Sequence, residues 1–494
     1  MTNEVSTPES LAQPQPPKIT LLTMFRLGLY QMGLGMMSLL TLGVLNRVMI
    51  KELAIPALIA ALIIAAHQFM SPARVWFGQM SDQRRVLKMH RTGYIWIGTG
   101  FLAVCSFLLV QSMWQFGASV YADGGGSWSA GSYGWAFLLA GVSAAYGLTL
   151  SAGSTPFAAL LVDISDDEER SRLIGVVWSM LMVGIVIGAI TISNLLPPAA
   201  EATTEITKLS LFARPDELAA LQAGVNRIFV IIPLVVLGLA VIATFGIEPK
   251  YSRFRARLEQ GDRVEREDQI TFGRAFKVLT SNRQTGIFFG FLLLLTLGIF
   301  MQDPVLEPYG GDLFGMSVSD TAKLNAFSGS GTLVSIALAG FLIVPRIGKN
   351  NTAQVGCISL AVSLALLMVS GTIGNPMLLK LVMLIFGIAS GIATTGALSL
   401  MLDLTAVETA GTFIGAWGLA QAMARGLATV FGGGLLNLGK GIFVDNLLTA
   451  YGLVFICQIM ALVAAIVLLQ RVNVKEFKAS AEEAIATLMA GDLD

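Results

Sequence analysis

The residues best suited to chemistry in this chain are a few polar groups set inside apolar segments. His67 and Gln68 follow the apolar run 57–66, and Arg74 comes seven residues after His67. That spacing is two turns of an α-helix, so His67 and Arg74 are expected on one face. A neutral imidazole is a good axial ligand for a metal centre, including the Mg²⁺ of a chlorin ring. A hydrogen bond between helices is the alternative role for such a histidine.

Gln31 and Arg425 are further polar groups expected at depth in the membrane. Ionisable residues within membrane helices are costly, which makes them functional candidates. Gln31 is a possible hydrogen-bond partner for His67. The candidate residues for binding a chlorin pigment are His67, Gln68, Arg74, Gln31 and Arg425. Arg74 and Arg425 together could hold an anionic group of an amphipathic molecule.

Acidic residues are scarce in the first half of the chain. The apolar segments there contain no Asp or Glu before Asp163 and Glu248, so no proton-coupling site is expected in that half. In the second half, Gln302, Asp303 and Glu307 lie in a segment with two prolines and two glycines. We expect this segment to end a helix near the outer face. Its acids then serve as a gate, as a partner contact or as a water-facing helix end.

The composition requires that these groups be positioned by membrane helices. Hydrophobic residues make up 54% of the 494 residues and charged residues only 13%, which excludes a soluble enzyme or a nucleic-acid-binding protein. The three cysteines show no disulfide or metal-site spacing. An all-α polytopic membrane protein with twelve transmembrane helices is predicted. The predicted helices are 25–47, 55–78, 92–115, 134–163, 171–196, 226–247, 284–308, 321–345, 352–372, 376–402, 411–437 and 446–470.

The loop charges predict the orientation of these helices. With both termini cytoplasmic, 22 of the 32 Lys and Arg residues fall on the cytoplasmic side and eight on the opposite side. This bias is typical of cytoplasmic loops. The predicted organisation is a disordered tail (1–24), a six-helix bundle (25–247), a cytoplasmic linker (248–283), a second six-helix bundle (284–470) and a cytoplasmic tail (471–494). The linker is expected to be either a short amphipathic surface helix or a solvated connection.

An internal repeat supports two equivalent halves. An offset of 240 residues aligns 146–175 with 386–415 without a gap, and seven of the 30 pairs are identical. Two of these pairs are Gly147 with Gly387 and Asp163 with Asp403. Parallel six-helix halves of this kind are the arrangement of major-facilitator proteins.

The loop after the second predicted helix supports the same architecture. Its sequence from Gly78 to Arg85 resembles the facilitator-superfamily loop G-x-x-x-D-x-x-x-x-R/K. A solvated charged turn is the alternative. We predict an inter-helix charge network that holds one conformation, because arginine can bridge two carboxylates. Its members are Asp82, Arg84, Arg85, Asp163, Glu168, Arg170, Arg172, Asp403 and Glu408.

Several longer segments resemble the PucC-type bacteriochlorophyll-delivery family of the major facilitator superfamily. They begin at Phe25 (FRLGLYQMGLG), Leu42 (LGVLNRVMI), His67 (HQFMSPARVWFG), Gln302 (QDPVLEPYGG) and Gly415 (GAWGLAQA). The resemblance runs from about residue 20 to residue 470.

This resemblance implies a non-enzymatic factor that assembles light-harvesting or other chlorophyll-binding complexes. Its cofactor would be chlorophyll or bacteriochlorophyll, with no nucleotide, and His67 would be an axial ligand of the magnesium. Its partners would be the lipid membrane, antenna polypeptides and pigment-synthesis enzymes, with no nucleic acid. Its location would be a bacterial inner, intracytoplasmic photosynthetic or thylakoid membrane. A secondary transporter of an amphipathic small molecule is the alternative function.

Overall fold

The structure, a computed structural model, describes residues 18–124, 127–165, 167–196, 215–252, 283–403 and 410–473. Within these ranges the chain forms twelve consecutive helical segments that traverse the bundle. The central linker predicted at 248–283 lies mostly outside the described residues, as do the two tails.

The first half contains six helical segments, of which two are composite. They are α1 (Leu21–Leu39, continued by π-helical turns Leu40–Leu45 and Val48–Glu52), α2 (Ala57–Phe69 and Ala73–Gln83), α3 (Thr92–Ala122), α4 (Ala130–Ile164), α5 (Asp167–Leu195) and α6 (Pro215–Thr244).

The second half repeats this layout. Its segments are α7 (Arg283–Phe300 and Asp303–Phe314), α8 (Val318–Leu338, with the continuations Ala339–Ile343 and Val344–Ile347), α9 (Lys349–Ile373), α10 (Pro376–Asp403), α11 (Ala410–Ile442) and α12 (Leu447–Leu469).

The two halves pack their helices in the same pattern. In the first half, α1 packs on α5 and α6, α3 packs on α4 and α6, and α2 packs on α4. In the second half, α7 packs on α11 and α12, α9 packs on α10 and α12, and α8 packs on α10. The internal repeat in the sequence therefore corresponds to a repeated three-dimensional arrangement.

The halves meet along two helix pairs, α2 with α11 and α5 with α8. Nine helices in the described part of the chain are long and apolar enough to cross a membrane. The three segments that miss this criterion are α2, α8 and α11, all of which lie between the halves. Contact with the other half lets these helices carry polar residues that lipid-facing helices avoid.

The two ends of the bundle are here called the terminal side and the far side. The terminal side holds Lys18 and Asn473, the first and last described residues. Arg26 at the start of α1 donates there to the carbonyls of Ile242 (2.7 Å) and Phe245 near the end of α6. The far side holds the short connections α1–α2 and α7–α8. Gly315, with a φ of 62°, ends α7 there, and Ser317 caps α8.

The structure corrects the predicted end of the seventh helix. The prolines at 304 and 308 were expected to end it at about residue 308, but the helix restarts at Asp303 and continues to Phe314. Pro304 occupies the first turn of the new segment, where its missing N–H costs nothing. Asp303 therefore lies at the break inside α7 and Glu307 within its second segment, and neither is at the far-side end of the helix.

Candidate functional site

The site is built around the crossing of α2 and α4. Gly147 of α4 lies so close to the backbone of His67 that a Cβ there would clash with the His67 carbonyl. The His67 ring packs edge-on against Tyr146, with ring centroids 5.8 Å apart. Its Nδ1 is buried without a hydrogen-bond partner of normal geometry among the described residues, and the Ile64 backbone lies beside the ring. The crossing therefore holds the imidazole in place mainly through backbone and ring contacts.

A series of polar contacts joins the two halves beside His67. We call it the polar belt, and its first members are Gln68, Thr429, Arg425 and Asp303. Thr429 of α11 donates its hydroxyl to Gln68 Oε1 at 3.1 Å and to the carbonyl of Arg425 at 3.1 Å. The Arg425 guanidinium pairs with Asp303 at 3.3 Å. It also lies 4.2 Å from the ring centroid of Phe300. The polar belt thus runs from α2 of the first half to α7 of the second half.

The polar belt continues into α12. Gln302 donates to Asp303 at 3.2 Å, and Gln458 donates to Gln302 at 3.4 Å. Arg425 Nε and Gln458 Oε1 are buried without hydrogen-bond partners in the described part of the chain. Spare donors and acceptors at the polar belt are available to a polar group of a ligand or to water.

The predicted relationship between His67 and Arg74 needs correction. Helix α2 is interrupted between Phe69 and Ala73, so the two-turn spacing of one continuous helix does not apply. Pro72 causes the interruption, because it has no N–H for the carbonyl of Gln68. Ser71 occupies that carbonyl through its hydroxyl and backbone N–H. Arg74 is exposed, yet it lies within electrostatic range of His67 and Arg425.

The remaining predicted site residues divide between the polar belt and other positions. Gln31 is half-buried in α1, and no hydrogen bond joins it to His67 in the structure as described. Glu307 is 2% exposed rather than water-facing, and its Oε1 accepts a hydrogen bond from Asn325 at 2.6 Å. Its Oε2 has no hydrogen-bond partner within the described ranges. Asp303, by contrast, belongs to the polar belt.

The predicted charge network lies largely among side chains outside the described part of the structure. Among the described residues of the terminal side, the central carboxylate is Glu248, which the sequence marked only as the end of a helix. The Glu248 carboxylate accepts backbone N–H groups of His90 at 2.6 Å, Arg91 at 3.1 Å and Thr92 at 2.7 Å. Glu248 thereby caps the start of α3 and ties it to the short helix Ile247–Tyr251, which follows α6.

Side-chain contacts around this cap involve only some of the predicted residues. Arg85 donates Nε to Nε2 of His90 at 2.9 Å, and Arg91 donates to the hydroxyl of Ser81 at 2.9 Å. Asp163 accepts a hydrogen bond from Ser252 at 2.5 Å. Arg84 and Arg172 are exposed. The side chains of Asp82, Glu168, Arg170, Asp403 and Glu408 lie outside the described part of the structure.

The imidazole of His90 is held in its neutral form by this environment. Burial and the positive charge of Arg85 lower the pKa of His90, while Glu248 acts in the opposite direction. A neutral imidazole is required for the observed contact, because Nε2 accepts the hydrogen bond from Arg85.

Sequence reasoning missed a second buried cluster, at the far side. Arg47 and Lys51 of α1 contact α7 and α8 through several hydrogen bonds, and Arg47 is 3% exposed. In the predicted orientation, both belong to the minority of cations on the side where the positive-inside rule disfavours Lys and Arg. That departure was the available signal.

Comparison with known proteins agrees with the fold and identifies relatives. The sequence model described as "PUCC protein" matches residues 44–477. The chain is 30% identical to "Protein PucC" of Rhodobacter capsulatus, over 91% of this chain and 92% of that protein. It is also 27% identical to "Bacteriochlorophyll synthase 44.5 kDa chain" of the same species, over 95% and 99% of the two chains.

Two solved structures share the architecture at low sequence identity. A mutant of the nucleoside transporter NupG has a TM-score of 0.63 at 15% identity, covering 91% of this chain and 99% of that chain. A bacterial homologue of the lysosomal transporter Spinster, in an inward-facing and occupied conformation, has a TM-score of 0.58 at 14% identity, covering 93% and 96%. These likenesses show the fold, a twelve-helix major-facilitator-like bundle. From the family match and the sequence relatives, the chain belongs to the PUCC family.

Proposed function

We propose that this protein is an assembly factor for photosynthetic antenna complexes that binds a chlorin pigment and delivers it to antenna polypeptides. The observation that carries the proposal is the state of His67. Its imidazole lies inside the bundle with the Ile64 backbone beside it, and its Nε2 makes no hydrogen bond among the described residues. The lone pair of Nε2 is therefore available to a ligand, and neutral imidazole is a good metal ligand.

The surroundings of His67 fit the central metal of a chlorin. A bound chlorin would supply a Mg²⁺ ion, and His67 would hold it as a nitrogen ligand. The Ile64 backbone interacts with the imidazole. A proton on Nδ1 directed at that backbone leaves the Nε2 lone pair free for the metal. Tyr146 fixes the ring orientation edge-on.

The polar belt would meet the polar edge of the same ligand. Arg74 is exposed and forms no ion pair in the described part of the chain, so it is available to a carbonyl or carboxylate of the pigment. Arg425 already pairs with Asp303, and its Nε has no hydrogen-bond partner among the residues that the structure describes. Gln68 is engaged with Thr429, and its role is to connect the halves.

Family membership supports the same proposal. The name of one relative refers to bacteriochlorophyll synthesis, and another relative is a PucC protein. We assign the chain no reaction of its own, and we place it in a photosynthetic membrane with the terminal side cytoplasmic. Antenna polypeptides, and enzymes that supply pigment, are the partners.

Transport of an amphipathic anion is the second candidate function. Two observations favour it: the guanidinium of Arg74 is exposed and forms no ion pair with any described residue, and the structural relatives share a transporter fold. Transport predicts measurable flux in vesicles without antenna polypeptides, whereas pigment delivery does not.

The decisive experiment replaces His67 by leucine in a phototrophic host that lacks its own copy of the protein. We expect the variant to insert at the normal level but to lose co-purifying pigment, measured by the absorption spectrum in mild detergent, and to lower antenna yield. His90→Gln is the matched control, since His90 is the only other histidine of the chain. Normal pigment occupancy in His67→Leu would contradict the proposal.

A further inference from the structure

The far-side ends of the two halves are joined by a buried arginine. Arg47 of α1 donates to the backbone carbonyls of Glu307 at 3.1 Å and Met316 at 2.8 Å. It also donates to the hydroxyl of Thr321 at 3.1 Å. Its closest carboxylate oxygen, that of Glu52, is 3.5 Å away within the same half. The guanidinium of the first half is therefore anchored chiefly on main-chain and hydroxyl oxygens of the second half.

The local structure of both helices serves this contact. Arg47 lies between the two π-helical turns of α1, and such turns are frequent at functional positions. Across the interface, a Cβ at Gly311 would lie 2.8 Å from Cζ of Arg47. Glycine at this position thus leaves the space that the guanidinium occupies.

Asn46 and Lys51 make further contacts between the two halves at the far side. Asn46 donates to the carbonyl of Pro304 at 2.6 Å. Lys51 pairs with Asp312 at 2.5 Å, and Asp312 also contacts Lys440 at 3.0 Å and the hydroxyl of Tyr451 at 2.6 Å.

The α5–α8 pair has its own far-side contact. Ser319 donates to the carbonyl of Ser193 at 2.7 Å, and the two hydroxyl oxygens are 2.9 Å apart. We call these contacts, with those of Arg47, Asn46 and Lys51, the far-side seal.

The terminal side of the interface is less closely joined. The second segment of α2, Ala73–Gln83, packs mainly against α4 of its own half, and the terminal end of α8 packs mainly against α9 and α10. Arg74 and Trp76 in that α2 segment are exposed. Among the described residues, the halves therefore meet firmly at the far side and are less closely joined toward the terminal side.

We propose that the His67 site takes up and releases its ligand only through the terminal side. The far-side seal then stays closed during both uptake and release. This inference rests on the proposed function, because it concerns the route to the His67 site. Opening the seal would remove a buried guanidinium from several acceptors at once, which is strongly unfavourable. A one-sided route suits a pigment that starts and ends in the same membrane.

A reversible cross-link at the far side tests the proposal. Ser193→Cys and Ser319→Cys are combined in the full chain after Cys105, Cys357 and Cys457 are replaced by serine or alanine. A protease site in the linker shows on a non-reducing gel whether a disulfide holds the two halves together. We expect the cross-linked protein to restore antenna assembly as well as its reduced form does. Loss of assembly that a reductant reverses would overturn the proposal.

The two single-cysteine variants are the matched controls, since they receive the same oxidant and cannot link the halves. If cross-linked and reduced proteins assemble antenna equally while His67→Leu retains pigment, the ligand assignment fails and the closed far side stands. If the cross-link blocks assembly while His67→Leu loses pigment, the route fails and the binding site stands.

A labelling experiment covers the case in which the double variant does not fold. Thr321 is fully buried beneath Arg47, so Thr321→Cys in the same cysteine-free background reports opening of the seal. We expect a maleimide to leave it unlabelled in membranes that are assembling antenna and to label it fully after denaturation. Labelling that increases during assembly would contradict a permanently closed far side.

Discussion

Gly147 of α4 and His67 of α2 are in backbone contact, and the repeat-equivalent Gly387 of α10 contacts Ser328 of α8 in the same way. In both places a Cβ on the glycine would clash with the facing carbonyl oxygen. The two glycines are 240 residues apart, the offset of the internal repeat. The repeat therefore preserves a close helix crossing, and the first half places a histidine at that crossing.

Alanine at position 147 should loosen this crossing. We expect Gly147→Ala to lower the free energy of unfolding by about 1–3 kcal/mol, because the added methyl group forces α2 and α4 apart. The measurement is unfolding in detergent, followed by circular dichroism. Gly141→Ala on the same helix is the control, because a Cβ there meets open space. Equal stability of the two variants would show that the crossing of α2 and α4 accommodates the methyl group without loss of unfolding free energy.

Removing the Glu248 carboxylate should weaken the cap on α3. Glu248→Gln keeps the shape but loses the charge that holds three backbone N–H groups. We expect a loss of about 1–2 kcal/mol, the usual cost of a lost helix cap. Asp216→Asn, an exposed acid in the first turn of α6, serves as the comparison and should change stability little. A Glu248→Gln protein as stable as Asp216→Asn would exclude the capping role.

Acidification should destabilise the loop that contains His90. The folded protein lowers the pKa of His90, so the unfolded chain takes up the proton more readily. The contribution of His90 to stability is complete above its unfolded pKa of about 6.5 and is lost as the pH falls below that value. The groups that face His90 are Arg85, Arg91, Glu248 and the backbone of Ser81.

The measurement compares the pH dependence of unfolding in wild type and His90→Gln between pH 5 and 8. We expect wild type to lose more stability toward pH 5 than the variant, since glutamine cannot take up a proton there. Parallel curves for the two proteins would mean that the Arg85–His90 contact does not depend on the protonation of His90.

The amino-acid sequence alone determined the class of the fold and the placement of His67, the main candidate site residue, within an apolar segment. Apolar segments long enough to cross a bilayer are a local property, so twelve helices follow from composition along the chain. The 240-residue repeat predicted two equivalent halves, because identical residues recur at the same offset in two sets of helices. His67, Arg74 and Arg425 were identified because a polar group within an apolar run is visible without any tertiary information.

Tertiary structure alone decided which of these groups meet. Gln68 and Thr429 are 361 residues apart, and Asn46 and Pro304 are 258 apart, so no local pattern joins them. The break in α2 redirected Arg74 relative to His67, and the restart of α7 at Asp303 carried Glu307 into the bundle. Hydrophobic periodicity specifies that a helix crosses the membrane. The rotation of each helix, and hence its contacts, is set by packing against helices distant in the sequence.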